Sequence, residues 1–224
     1  MSVSPTIVEY RGVKGLVAAE LLIDDNEQNT AGTDETPNHG LVYGDVFAIA
    51  GVAEVSKEVE QASDAHYYDN MAAIVIDADG ADTVTVNASA IPLDVQARLT
   101  GQHYDTSKGA LVEANGRKKP YFALGYITED TDGNEVYVWR HKGKIMLGTE
   151  THNTQDNSTD ANGQSFTYTG VNTIHKFTNN PDDLGQPSGA KALVVNASAG
   201  LADISTFFEE VTTIDTLQAV SPGE

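Results

Sequence analysis

Cysteine is absent from the 224 residues. That excludes disulfides, thiol catalysis and Cys-based metal sites. Basic side chains are scarce: 13 Lys and Arg stand against 33 Asp and Glu, for a net charge of −20 at pH 7. A protein that reads DNA, or docks on anionic lipid, needs a cationic surface. Both classes are disfavoured here, and the charge favours solubility and repulsion of nucleic acid. Long apolar runs are missing too; stretches such as Ala72–Ile76 are far too short to span a bilayer. The N-terminal MSVSPTIVEYRGVKG has no apolar core behind a basic start, so no secretory signal is expected.

Chemical signatures are sparse as well. None of the six histidines stands four residues from another, and none sits in HExxH. There is no GxSxG, GxGxxG or Walker loop. Carboxylates are so numerous that the proximity of any two says little about acid–base catalysis. No catalytic, cofactor-binding or metal-ligating residue is therefore nominated, and no cofactor is expected. Two acidic clusters resemble fragments of calcium loops: Asp77, Asp79 and Asp82 in DADGAD, and Asp130, Asp132 and Asn134 in DTDGNE. Neither supplies the full ligand set or flanking helices. Both read as turns, because Asp, Gly and Asn favour turn backbone.

What the chain does carry is β periodicity. Val84, Val86 and Ala88 alternate with Thr83, Thr85, Asn87 and Ser89. In 52–60, Val55 and Val59 fall on one face, with Glu54, Glu58 and Glu60 opposite. Further β-segments are expected at 43–50, 72–78, 110–114, 121–128, 135–147 and 164–175. Pro120 to Lys144 reads as a hairpin around Asp132-Gly133. One short helix is expected over 92–100, opened by Pro92 and closed by Gly101. Polar loops occupy 24–40 and 149–163. The expected fold class is mainly β: an antiparallel β-sandwich or partly open barrel with one short flanking α-helix. Residues 178–190 read as a linker, and 191–224 as a C-terminal extension with a strand at 192–198 and a helix at 201–211.

Charge is segregated along the chain. Arg117, Lys118, Lys119, Arg140, Lys142 and Lys144 account for six of the 13 basic residues. Alternation places Arg140, Lys142 and Lys144 on one strand face with Val136 and Val138. Residues 54–82 hold Glu54, Glu58, Glu60, Asp64, Asp69, Asp77, Asp79 and Asp82 against Lys57 alone. Two such strips suit pairing across an interface. Equally, both are solvated faces, or they pair within one subunit. The aromatics Tyr121, Phe122, Tyr126, Tyr137, Trp139, Phe166 and Tyr168 read as core and sheet packing.

Five blocks carry a family resemblance: RGVKGL (11–16), YGDVFAIAGVAEVS (43–56), VTVNASAIPLDVQARLTGQ (84–102), PYFALGY (120–126) and YVWRHKGK (137–144). In this order and spacing, from about Tyr10 to Phe177, the chain resembles the major tail tube proteins of long-tailed bacteriophages. The resemblance implies a β-sandwich domain over 1–177 and a structural, non-enzymatic role. It implies six copies per ring, and rings stacked into a tube that conducts the genome to the host. It implies a place in the virion tail, assembled in the host cytoplasm, and contacts with tape measure, tail terminator and distal tail proteins. DNA passes without specific binding, and no membrane is involved. On that reading Glu54, Glu58, Glu60, Asp64 and Asp69 are candidates to face the lumen. Arg117, Lys118, Lys119, Arg140, Lys142 and Lys144 are candidates for an inter-subunit basic face. The rival class is an acidic β-sandwich adhesin or carbohydrate-binding module. An enzyme comes third and requires a pocket with perturbed carboxylates.

Overall fold

The computed structural model describes residues 9–23, 41–68, 71–148 and 163–220, with backbone alone for 62–68 and 71–79. The strands are β1 (Tyr10–Ile23), β2 (Val42–Tyr43), β3 (Phe47–Ala48), β4 (Val52–Tyr68), β5 (Met71–Ala88), β6 (His103–Asp105), β7 (Ala110–Val112), β8 (Tyr121–Asp130), β9 (Glu135–Leu147), β10 (Gln164–Gly170), β11 (Phe177–Pro181), β12 (Pro187–Ser188) and β13 (Ala192–Asn196). Among the described residues one α-helix stands, α1 (Leu93–Thr100), and it ends on Gly101 in the left-handed region. The fold is therefore mainly antiparallel β with one short helix, as the sequence pattern implies.

One sheet dominates, in the order β2-β1-β8-β9-β10-β5-β4, with β13 on β9 and β3 on β1. It curls back on itself. Val84, Val86 and Ala88 of β5 share a buried core with Leu16 and Ala18 of β1, Phe122, Leu124 and Tyr126 of β8, Ile145 of β9, and Phe166 and Tyr168 of β10. Leu99 of α1 plugs the same core. The barrel does not close. The first half of β1 and the edge strand β4 flank a cleft of about 490 Å³, lined by Val13, Val55, Tyr126, Val136, Val138 and Val194.

Two register shifts aim the side chains. In β1, one extra residue separates Lys14 and Val17 where they face Ile127 and Gly125. Gly15 absorbs it at φ 68°, a conformation that favours glycine. In β9, Arg140 and Gly143 face Leu124 and Phe122, so three steps oppose two. This second shift exchanges the inward and outward sides of β9. Val138 faces the core before it, and Ile145 after it.

The other face of β1, β8 and β9 is covered by the C-terminal segment. Leu193 and Val195 of β13, with Phe207 and Val211, bury Ala19, Ala123 and Trp139. The Trp139 indole N–H donates to the Phe207 carbonyl at 2.8 Å. A Cβ on Gly125 would stand 2.8 Å from Phe208 and 3.0 Å from Trp139, so this close approach depends on glycine. Residues expected as linker and extension are thus part of the packed body. Residues 178–190 contain most of the β11–β12 hairpin, and β13 hydrogen-bonds to β9 along Val136–Arg140. The expected helix over 201–211 is instead a run of turns, in which Phe207 and Val211 are anchored by packing. The expected strand over 43–50 is broken into β2 and β3. The expected strands at 72–78 and 83–89 are one continuous β5.

Candidate functional site

The curled sheet has an inside, which is the core, and an outside. Over β1 and β8 the outside is buried by the C-terminal segment. Over β4, β5, β10 and the last third of β9 it is open. The register arranges this open face in straight rows. Glu58 faces Thr83, Thr83 faces Thr169, and Thr169 faces Lys144. The neighbouring rows are Ser56, Thr85, Thr167 and Met146, then Glu54, Asn87 and Ser165. Glu54, Ser56, Glu58, Glu60, Thr85 and Asn87 are exposed, as are Lys144 and Met146. Short hydroxyls fill the middle, acids line the β4 edge, and one lysine stands at the β9 end. The Asn87 amide donates to Glu54 at 2.9 Å and fixes one of the acids.

The β4–β5 hairpin runs beyond the sheet. β10 pairs with β5 only from Ala88 to Asp82, whereas β4 follows β5 to the Tyr68–Met71 pair. The remainder is a two-stranded arm about 35 Å long at ordinary strand rise. The sequence expectation of a turn at DADGAD is overturned. Those residues continue β5, with a register shift where Val59 and Gln61 face Asp82 and Asp79. Turn-forming composition yields here to the pairing of a long hairpin.

At the root of the arm, Asp82 points inward, in phase with Val84 and Val86, and is buried. Arg140 of β9 reaches it at 3.0 Å, Lys191 at 3.1 Å and Lys57 of β4 at 3.4 Å. Lys191 also donates to the Gly80 carbonyl at 2.6 Å. Burial pushes the Asp82 carboxyl up. The Lys191 hydrogen bond and the charges of Lys57 and Lys191 outweigh it and hold the group below its ordinary range. One carboxylate thus clamps the hairpin, β9 and the entry to β13. The Tyr126 hydroxyl and the Arg140 guanidinium meet at 3.2 Å and complete the clamp.

The sequence candidates separate accordingly. Glu54, Glu58 and Glu60 share the open face. The Asp64 side chain and Asp69 lie outside the described residues, as do 24–40 and 149–162. Arg117, Lys118 and Lys119 are exposed on the approach to β8. Arg140 and Lys142 are not on an open face: both are buried, and Arg140 is committed to Asp82. Nor do Arg140, Lys142 and Lys144 share one side with Val136 and Val138. The register shift in β9 turns Lys142 and Lys144 to the opposite side, against the Tyr121 ring at 5.0 and 4.7 Å. Asp130 is consumed by its turn, accepting from the Asp132 and Asn134 amides at 2.9 and 2.8 Å. The DTDGNE cluster is therefore a turn, as its composition implies. The Asp82 clamp was missed, although alternation with Val84 and Val86 carried the signal.

Below the clamp lies a second buried polar group. His141 and His175 flank Phe177, with ring centroids 5.3 and 4.8 Å away. The His141 Nδ1 atom is buried with no hydrogen-bond partner among the described residues. Burial, then the neighbouring His175, lowers the His141 pKa from 6.5 to about 4.

A curled antiparallel sheet with one open polar face, a projecting hairpin and a covered back defines a structural β-protein whose surfaces suit assembly. The family model described as phage tail tube protein matches residues 13–185, and the chain belongs to that family. No curated protein matches the chain. The protein is accordingly a structural component of a bacteriophage tail.

Proposed function

We propose that this chain is the repeating subunit of the tail tube, closing as hexameric rings that stack into a conduit for the genome. The carrying observation is the single open face of the sheet. Every other broad face among the described residues is packed against core or C-terminal segment. The open face carries hydroxyls, an amide, acids and Met146, and Lys144 is its one exposed cation among the described residues. A bore lined this way repels phosphate and leaves DNA mobile. We assign Glu54, Glu58 and Glu60 to the bore.

The 35 Å arm gives the second support. A two-stranded ribbon this long gains little stability alone, and a neighbouring subunit supplies the surface it lacks. Among the described residues the edge of β4 has no partner strand on its outer side, and in a homopolymer an edge becomes a joint. Tape measure, terminator and distal tail proteins are the expected partners at the ends and inside the tube.

Negative-stain electron microscopy across a concentration series, with native mass measured alongside, tests the proposal. Rings or hollow tubes of uniform diameter are expected. A chain that stays monomeric at every concentration and binds a glycan in an array would move it to the adhesin class.

A further inference from the structure

We infer that the open sheet face carries its own lateral address: the acidic β4 edge of one copy docks against the basic Tyr121–Lys144 end of the next. This rests on the tube reading and names the contact that closes the ring.

The row Glu58, Thr83, Thr169, Lys144 begins with an acid and ends with a base. Three strand spacings separate the two, about 14 Å. They are too far apart to pair within one subunit, and the residues between carry no charge. Among the described residues neither end is neutralised. Glu58 and Glu60 make no ion pair among the described residues, and neither does Lys144. Lys57, the one basic residue of β4, turns inward to Asp82. Arg11 and Lys14 are occupied by Glu129 and Glu135.

The basic end extends past Lys144. The Tyr121 ring beneath Lys144 also lines a groove of about 420 Å³ with Arg98, Lys118 and Lys119. Here the open face stops, because Tyr121 packs against the cluster of Leu21, Leu41 and Phe177. A neighbour's β4 meets this border where β8 has ended: β8 pairs with β9 only as far as Gly143, and β10 takes the other edge from Gly143 to Leu147. Acid edge against basic border is a heterologous contact, the kind that closes a ring when the rotation fits. Unlike charges fix its register, and they disfavour the reversed arrangement in which like edges meet. Pairing with Glu58 of the next copy also neutralises the exposed lysine of the face.

The absence of cysteine makes a clean test. In the full chain carrying both Glu58→Cys and Lys144→Cys, mild oxidation of assembled material should give a covalent ladder on a non-reducing gel. A mixture of the two single variants should stop at dimers. Charge exchange is the second arm. Glu58→Lys or Lys144→Glu alone should raise the concentration needed for assembly by about tenfold or more, and the two together should restore it. Tubes of the double-Cys variant that stay uncrosslinked would overturn the inference, as would single reversals that assemble like the parent. Either result leaves the tube reading intact if the parent forms tubes. A parent chain that never assembles removes the tube reading, and this contact with it.

Discussion

Asp82 is surrounded by Arg140, Lys57 and Lys191, three cations for one buried carboxylate. Removing the carboxylate leaves the buried Arg140 uncompensated. Asp82→Asn should therefore lower unfolding stability by about 3–5 kcal/mol, read by urea denaturation. Adding Arg140→Met should recover much of that loss, because the stranded charge is then gone as well. His141 makes a separate, pH-dependent contribution. Its folded pKa lies below its unfolded one, so the unfolded chain binds the proton more readily. Stability is full above pH 6.5 and falls as pH drops toward 4, by about 3 kcal/mol for the shift at about 1.36 kcal/mol per unit. His141→Phe should flatten that slope in denaturation curves between pH 4 and 6.5. The depressed Asp82 carboxyl has the opposite protonation chemistry but the same direction in pH. Its share is lost below that window, as pH falls through its folded pKa.

At the scale of elements, the C-terminal segment decides which sheet face stays open. Phe207 receives the Trp139 indole hydrogen bond through its carbonyl and packs in the same cluster. Phe207→Ala should cost about 3–5 kcal/mol and shift Trp139 fluorescence to the red, since this is the only tryptophan. Periodicity made most of the elements legible. The 83–89 alternation, the 121–147 hairpin and the 92–100 helix all stand near where their patterns put them. What periodicity could not carry was a change of phase. The extra residue in β9 sends Arg140 inward and Lys144 outward, and nothing in YVWRHKGK marks it except Gly143. The turns of 201–211 were misread because Leu201, Ile204, Phe207 and Phe208 have helical spacing. Their positions answer to Trp139 and Tyr137 across the sheet rather than to a helix axis.

For the whole molecule, the distribution of the net charge of −20 matters more than its size. Three cations are spent on Asp82 and others gather beside Tyr121, while acids line the β4 edge. The acidic strip was legible as composition; the placement of Glu54, Glu58 and Glu60 on one open face required the sheet to curl and the C-terminal segment to cover the other side. The central claim is that this face lines the bore of a tube. A three-dimensional reconstruction of tubes assembled from the purified chain tests it most directly. The expected result is a hollow tube with Glu54, Glu58, Thr83, Thr85 and Thr167 on the inner wall, and Trp139 and Phe207 at larger radius. A tube with that sheet face on its outer surface, or buried between rings, would contradict it.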